Sequence, residues 1–277
     1  MIARIAWARV VGGFVALAAT LGPAAAAEWP SQVIAKYNVS FAGFTIGSLN
    51  FRSDVGPKGY SLAGEAKVSA VFGAFKWQGF TRSSGRAQRT KPAPRNYAFD
   101  YRSNSKKGSV RMSFKKGHVI KNEVVPHKPY SKKHAPLLGK HLRGVFDPIS
   151  AVMLLTRATS GHPCQRRIPI FDGKQRFDLV LAPAGRTKIR EARPSGQPEL
   201  AYICSVRYVP LGGFKRNRQT KYMASNSGMR VVLRSIPSAN LYIPYEVRVP
   251  TIAGEAVLLS KQVNIVTARR QRIALIY

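Results

Sequence analysis

The sequence predicts a mainly β fold: an antiparallel sheet, strongly curved into an open barrel or β-spiral, with one short central helix. Three observations predict it. Apolar and polar residues alternate in short segments from Gln32 to the C-terminus. Clusters of Gly, Pro, Ser, Asn and Asp separate those segments at close intervals. No alternation of helix and strand patterns occurs, which disfavours doubly wound and TIM-type folds. The chain has 277 residues and is 45% hydrophobic, enough for a real core, so a disordered basic tail is excluded. Two cysteines cannot build a disulfide-dense scaffold or a Cys-rich zinc fold.

Residues 1–27 read as a signal peptide. Arg4 and Arg9 form a basic start, Val10 to Leu21 an apolar run shorter than a bilayer span, and Ala24 to Ala27 a small-residue cleavage site. Gly22-Pro23 ends any helix before the alanines. Residues 28–277 then form a single β-rich domain, and the protein is expected in the periplasm. In an oxidising compartment Cys164 and Cys204 are expected to pair, a link whose chain-entropy value is roughly 4 kcal/mol.

The strands follow in order. Val33, Ala35, Tyr37, Val39 and Phe41 face one way and their neighbours the other, with Ile34 the exception. Ala42-Gly43 turns the chain into a second strand whose phase slips near Gly47, as a β-bulge requires. Further alternating sets start at Tyr60, Phe75, Tyr97 and Val110. In the second half, Asp172-Gly173 between apolar runs signals a hairpin. Strands are expected at Lys188 to Ala192, Leu200 to Val209, Thr220 to Ala224, Met229 to Ile236, Leu241 to Val249 and Val257 to Val266, making roughly fourteen in all. One segment near 147–159 reads as helix, with Asp147 as N-cap, Pro148 in the first turn and Ser160-Gly161 as the stop. It is apolar nearly all round and so should be buried against the sheet, dividing the strands into two halves.

Several stretches together resemble an exported bacterial family known as domain of unknown function 3108. They are KYNVSFAGFTIGSLNF, FDPISAVMLL with Asp147, Pro148 and Ser150, IFDGKQRFDLVL with Asp172, Gly173 and Asp178, CSVRYVPLGGF, and IPYEVRVPTIAGEAVL. The resemblance runs from about Val33 to Val266. It implies periplasmic residence and an antiparallel sheet, and supplies no substrate. The layout is also similar to exported envelope proteins built as open, spiralling β-barrels.

No constellation of residues points to catalysis, a cofactor or a metal. His127, His134 and His141 are seven apart, but Pro126, Pro129, Pro136 and Gly139 forbid the helix that would align them. Asp172 and Asp178 could in principle form a hydrolytic pair, yet an Asp beside a strand turn is commonly structural. The two Ser-x-x-Lys matches, at Ser103 and Ser113, fall in strand or turn without their partner motifs.

Charge is the loudest feature: 45 Lys+Arg against 12 Asp+Glu, a formal charge of +33. In an exported protein that excess points away from nucleic acid and toward anionic lipid, lipopolysaccharide or acidic polysaccharide. The expected function is a non-catalytic periplasmic protein that binds an anionic or amphiphilic envelope component and supports envelope integrity. The rivals are an outer-membrane β-barrel and an enzyme acting on cell-wall or surface glycan. Lys128, Lys132, Lys133, Lys140 and Arg143 are the candidate anion contacts. Tyr37, Phe44, Trp77, Phe99, Tyr101 and Phe114 are the candidate cleft lining.

Overall fold

The computed structural model describes residues 28–70, 73–127, 129–158 and 161–277. The expected signal peptide, Lys128 and the Ser160 helix stop lie outside the described residues. The first half is a seven-strand meander: β1 (Gln32–Phe41), β2 (Phe44–Gly56), β3 (Gly59–Ala70), β4 (Phe75–Ala87), β5 (Pro92–Ser103), β6 (Lys107–Lys115) and β7 (His118–Val125). A connector leads to helix α1 (Pro148–Thr156). The second half comprises β8 (Arg166–Phe171), β9 (Arg176–Lys188), β10 (Leu200–Gly212), helix α2 (Arg218–Ser225), β11 (Arg230–Ile236), β12 (Leu241–Thr251), β13 (Gly254–Val266) and β14 (Arg272–Ile276).

All of these strands join one antiparallel sheet, in the order β7-β6-β5-β4-β3-β2-β1-β13-β12-β11-β10-β9-β8, with β14 paired to β13 off this path. The two halves meet where β1 pairs along its whole length with β13. The sheet is not closed. Its edges, β7 and β8, are bridged by the connector: Arg143 pairs with His118 at the start of β7, and Phe146 pairs with Ile170 of β8. The β8–β9 turn crosses to the first half as well, where the Asn122 side-chain amide donates to the Gly173 carbonyl at 2.9 Å. Gly173 has φ +96°, and any Cβ there would strike Val110, so only glycine fits this close approach.

The alternation read from the sequence follows the pleat. Val33, Ala35 and Tyr37 are buried, while Lys36 and Asn38 are exposed. Val39 faces Gly47 and Ser40 faces Thr45, which leaves Ile46 as the extra residue of a bulge where the phase slips. Outward side chains form charged pairs and ladders: Arg52 with Asp54, Lys67 with Glu65, Arg111 with Asp100, and Arg248 with Glu246 and Glu255. The barrel is therefore polar outside and apolar inside.

Two segments differ from the sequence expectation. Thr220 to Ala224 is helical, within α2, because the Asn217 side chain accepts from the Thr220 amide and caps the turn. Lys188 to Ala192 is not a separate strand. The sheet pairing of β9 continues through Pro183 and Gly185 and ends at Lys188.

Helix α1 lies inside the barrel and packs on β3, β4, β5, β8 and β12. Its start is fixed by a buried polar cluster. Asp147 is fully buried; one carboxylate oxygen accepts from the Ile149 and Ser150 amides, the other from the Ser150 and Ser83 hydroxyls at 2.6 and 2.9 Å. The Tyr60 hydroxyl lies 2.8 Å from that of Ser150. At the other end the Arg166 guanidinium donates to the carbonyls of Leu154, Leu155 and Arg157, in the last turn where the helix runs out of amides. Cys164 and Cys204, both fully buried, form a disulfide with a sequence separation of 40. It ties the segment after α1 to β10.

Asp147→Ala leaves the Ile149 and Ser150 amides without their acceptor, while the Ser83 and Ser150 hydroxyls keep each other and Tyr60 as partners, so the protein should lose about 1–3 kcal/mol of stability in urea denaturation. Burial, opposed by four donors, raises the Asp147 carboxyl above its usual range. The folded chain then holds the proton more tightly than the unfolded one. The resulting stability is full below the ordinary carboxylate value and declines as pH rises through the folded value. Asp147→Asn, which cannot ionise, should flatten that slope when denaturation midpoints are compared from about pH 4 to 8.

Candidate functional site

The inward strand faces do not fill the barrel. They enclose an apolar cavity of about 910 Å³, at the upper end of the size range of small-molecule sites. α1 forms its floor through Ile149, Val152 and Met153. Its walls come from both halves of the sheet, with Leu49, Phe51 and Phe99 on one side and Leu179, Val247 and Leu258 on the other. Solvent reaches the floor, because Val152 lines the cavity and is still 37% exposed.

Beneath the helix the barrel is stoppered. The Arg157 guanidinium stacks over Trp29 at 4.5 Å from the ring centroid and donates to the carbonyls of Glu28 and Arg89. The Trp29 ring nitrogen donates to the Gln88 carbonyl. The opposite end carries α2, whose Met223 reaches the cavity lining beside Met229. β11 begins only at Arg230, whereas β10 and β12 both extend further toward this end, and α2 packs on those two strands.

The lining has few polar groups. Tyr37, Tyr97 and Tyr208 contribute phenols that burial keeps protonated, that of Tyr208 pushed up to about 12 by burial and the nearby Asp172 charge. Its charged members are Asp172, Lys174 and Arg230. Asp172 is occupied by its own turn, accepting from the amides of Lys174 and Gln175. Arg230 reaches Glu246 only at 3.5 Å, while Arg248 holds that carboxylate at 2.7 Å. Arg230 sits opposite Arg248 and shares its outward face, so Lys174 is the lining cation available to an anionic group. The Met-rich side of the wall adds adaptable apolar surface.

The residues singled out from sequence fall in different places. Tyr37, Phe99 and Tyr101 line the cavity. Phe114 is buried in the core cluster with Tyr60, Val145, Ile149 and Met153, whereas Val110 of the same strand reaches the cavity. Phe44 follows the Ala42-Gly43 turn and is 76% exposed at a hairpin tip. Trp77 lines a separate depression at the end of β2–β5 and folds over Gly79, where a Cβ would meet its ring and Phe99. Among the candidate anion contacts, Lys132, Lys133, Lys140 and Arg143 are exposed. They do not form one patch: the Lys133 carbonyl accepts from Arg216 in the loop before α2, whereas Arg143 pairs at the start of β7.

Asp178 is buried between Arg167 at 2.9 Å and the largely buried Arg176, and Asp172 is tied to its turn. Both carboxylates serve the hairpin. Among the described residues no group of three or more His, Cys, Asp or Glu could hold a metal ion, and no helix is long and apolar enough to cross a membrane. Sequence reasoning missed Val152, Met223 and Lys174. The all-round apolar character of the helix was the only signal for Val152, and neither of the other two stands out locally.

An antiparallel β-barrel left open at one seam, floored by an internal helix and hollow above it, is the class of protein these features define. The chain belongs to the family described as protein of unknown function DUF3108, whose model matches residues 36–253. No curated protein and no solved structure matches it.

Replacing Asp178 with Asn removes the charge that compensates the nearly buried Arg176. Asp178→Asn should cost about 3 kcal/mol in denaturant unfolding, whereas Arg167→Gln, at an exposed partner, should cost less than about 1 kcal/mol.

Proposed function

We propose that the protein is a non-catalytic periplasmic binding protein for an amphiphile with an anionic head, whose apolar part occupies the barrel cavity. The observation that carries this reading is the solvent-accessible apolar space above α1, built from both halves of the chain. Each methylene transferred there from water is worth roughly 0.8 kcal/mol, so an acyl chain supplies affinity without any directional contact. Lys174, at the cavity lining, gives the head group a counter-charge. Lys132 and Lys133, near the loop before α2, add to the positive field. Periplasmic residence follows from the leader-like start and supports an envelope ligand such as a phospholipid or lipopolysaccharide component.

Two observations favour this reading over its rivals. An outer-membrane barrel presents apolar residues to lipid, whereas the outward residues here include the charged pairs of β2–β6. A glycan hydrolase needs two available carboxylates, whereas Asp172 and Asp178 are engaged in turn and ion-pair contacts.

Organic extraction of the protein purified from periplasm, followed by mass spectrometry, should yield an anionic amphiphile. Val152→Trp fills the cavity floor from a position already open to solvent. It should weaken binding of a fluorescent fatty acid by at least about tenfold with little change in melting temperature. Unchanged binding in a folded Val152→Trp protein would remove the cavity from the mechanism.

A further inference from the structure

The antiparallel meander places the β1–β2, β3–β4, β5–β6 and β12–β13 turns at one end of the sheet, on strands that are neighbours in its order. Three of these turns carry an exposed large apolar residue: Phe44 at 76%, Phe75 at 46% and Ile252 at 41%. Hairpins two strands apart stand about 10 Å from each other, so the three tips form one row. At the opposite end, the turns at 57–58, 88–91 and 267–271 carry none of the large exposed hydrophobics found among the described residues, and Ile120, 62% exposed, stands on the edge strand β7 beyond the 116–117 turn, away from any such row. The asymmetry is not what a solvated rim requires.

Charge accompanies the row. Lys76 follows Phe75, Lys106 ends the β5–β6 turn and Lys107 opens β6; all three are exposed and take no part in the ion pairs found among the described residues. Between these hairpins lies a second depression of about 730 Å³, in which Lys67, Lys76 and Arg102 gather beside Trp77. Cations with an interfacial aromatic suit a phosphate-bearing head group. The loop before α2, with exposed Lys215 and Arg216, follows the end of β10 at the same strand ends. The cavity wall runs up these strands to Leu49 on β2, Tyr101 on β5 and Val249 on β12, a few residues below the turns.

We propose that this rim, with Phe44, Phe75 and Ile252 as apolar tips and Lys76, Lys106 and Lys107 around them, docks on an anionic phospholipid bilayer so that amphiphile passes between membrane and cavity. The transfer part rests on the cavity reading given above; the docking part does not. Apolar tips alone would enter any bilayer weakly, and lysines alone would bind any polyanion. Their combination on one rim fits a surface that offers both phosphate charge and hydrocarbon.

The test uses the purified protein and phosphatidylcholine vesicles with or without about one third phosphatidylglycerol. Wild-type protein should sediment with the anionic vesicles at low salt and much less with the neutral ones, and should exchange a fluorescent fatty acid with the anionic vesicles. Phe44→Ser, Phe75→Ser and Ile252→Ser combined should reduce vesicle binding and the rate of exchange by roughly tenfold, while leaving fatty-acid binding in solution unchanged. Lys76→Glu, Lys106→Glu and Lys107→Glu combined should do the same. Val152→Trp should abolish exchange while vesicle binding persists, which separates failure of the cavity from failure of the rim. Wild-type indifference to anionic vesicles, or tip variants that sediment like the wild type, overturns the proposal.

Discussion

The buried carboxylate of Asp147 is the contact on which the interior depends. It joins the first turn of α1 to Ser83 on β4 and, through Ser150, to Tyr60 on β3. A helix that is apolar on almost every side has no intrinsic reason to leave one side bare. It can do so because both of its ends are held by polar contacts, the Asp147 cluster at the start and Arg166 at the finish. The disulfide then holds the chain just beyond it against β10. With position set by its termini, the middle of the helix need not be fully covered, and Val152 is left facing open space.

The open seam is guarded as well as bridged. An exposed strand edge invites pairing with another chain. β7 carries Lys121 and Glu123 exposed along its length, and β8 is short and contains Pro169. Charge on one edge and a missing amide on the other make both poor templates. Residues 143–147 occupy the gap between them, with the Phe146 amide donating to the Pro169 carbonyl and the Phe171 amide to the Phe146 carbonyl. A sheet this wide is thus finished at its margins without becoming a closed cylinder.

Much of the fold was legible in the sequence because a half-buried strand writes its pleat directly into residue parity. β1, the bulge at Ile46, the Asp172-Gly173 hairpin and the Asp147-Pro148 helix start were all local signals of that kind. Thr220 to Ala224 was not, since five residues of mixed polarity fit a strand edge as well as a helical turn, and the deciding group, Asn217, lies outside them. The cavity was legible only in part for a different reason. Parity tells which face a side chain joins, not how deep it lies: Phe114 and Tyr101 both sit on inward faces, yet the first is sealed in the core cluster and the second borders the cavity. Charge was the least legible, because cations close in sequence are parted by the path of the connector, as with Lys133 beside the loop before α2 and Arg143 at the start of β7.

The pairing of β1 with β13 also has a consequence in time. β1 opens the described domain and its partner lies near the end of it, so a chain delivered N-terminus first presents β1 long before β13. Until β13 arrives, the meander from β1 to β7 has a complete set of local hairpins but an unfinished edge, with Val33 and Ala35 lacking their neighbours from the other half. Contacts of such long sequence separation form late and slowly. The half-made protein is therefore a ribbon with a sticky side, and it becomes a vessel only in the final step, when the end of the chain is laid against its beginning.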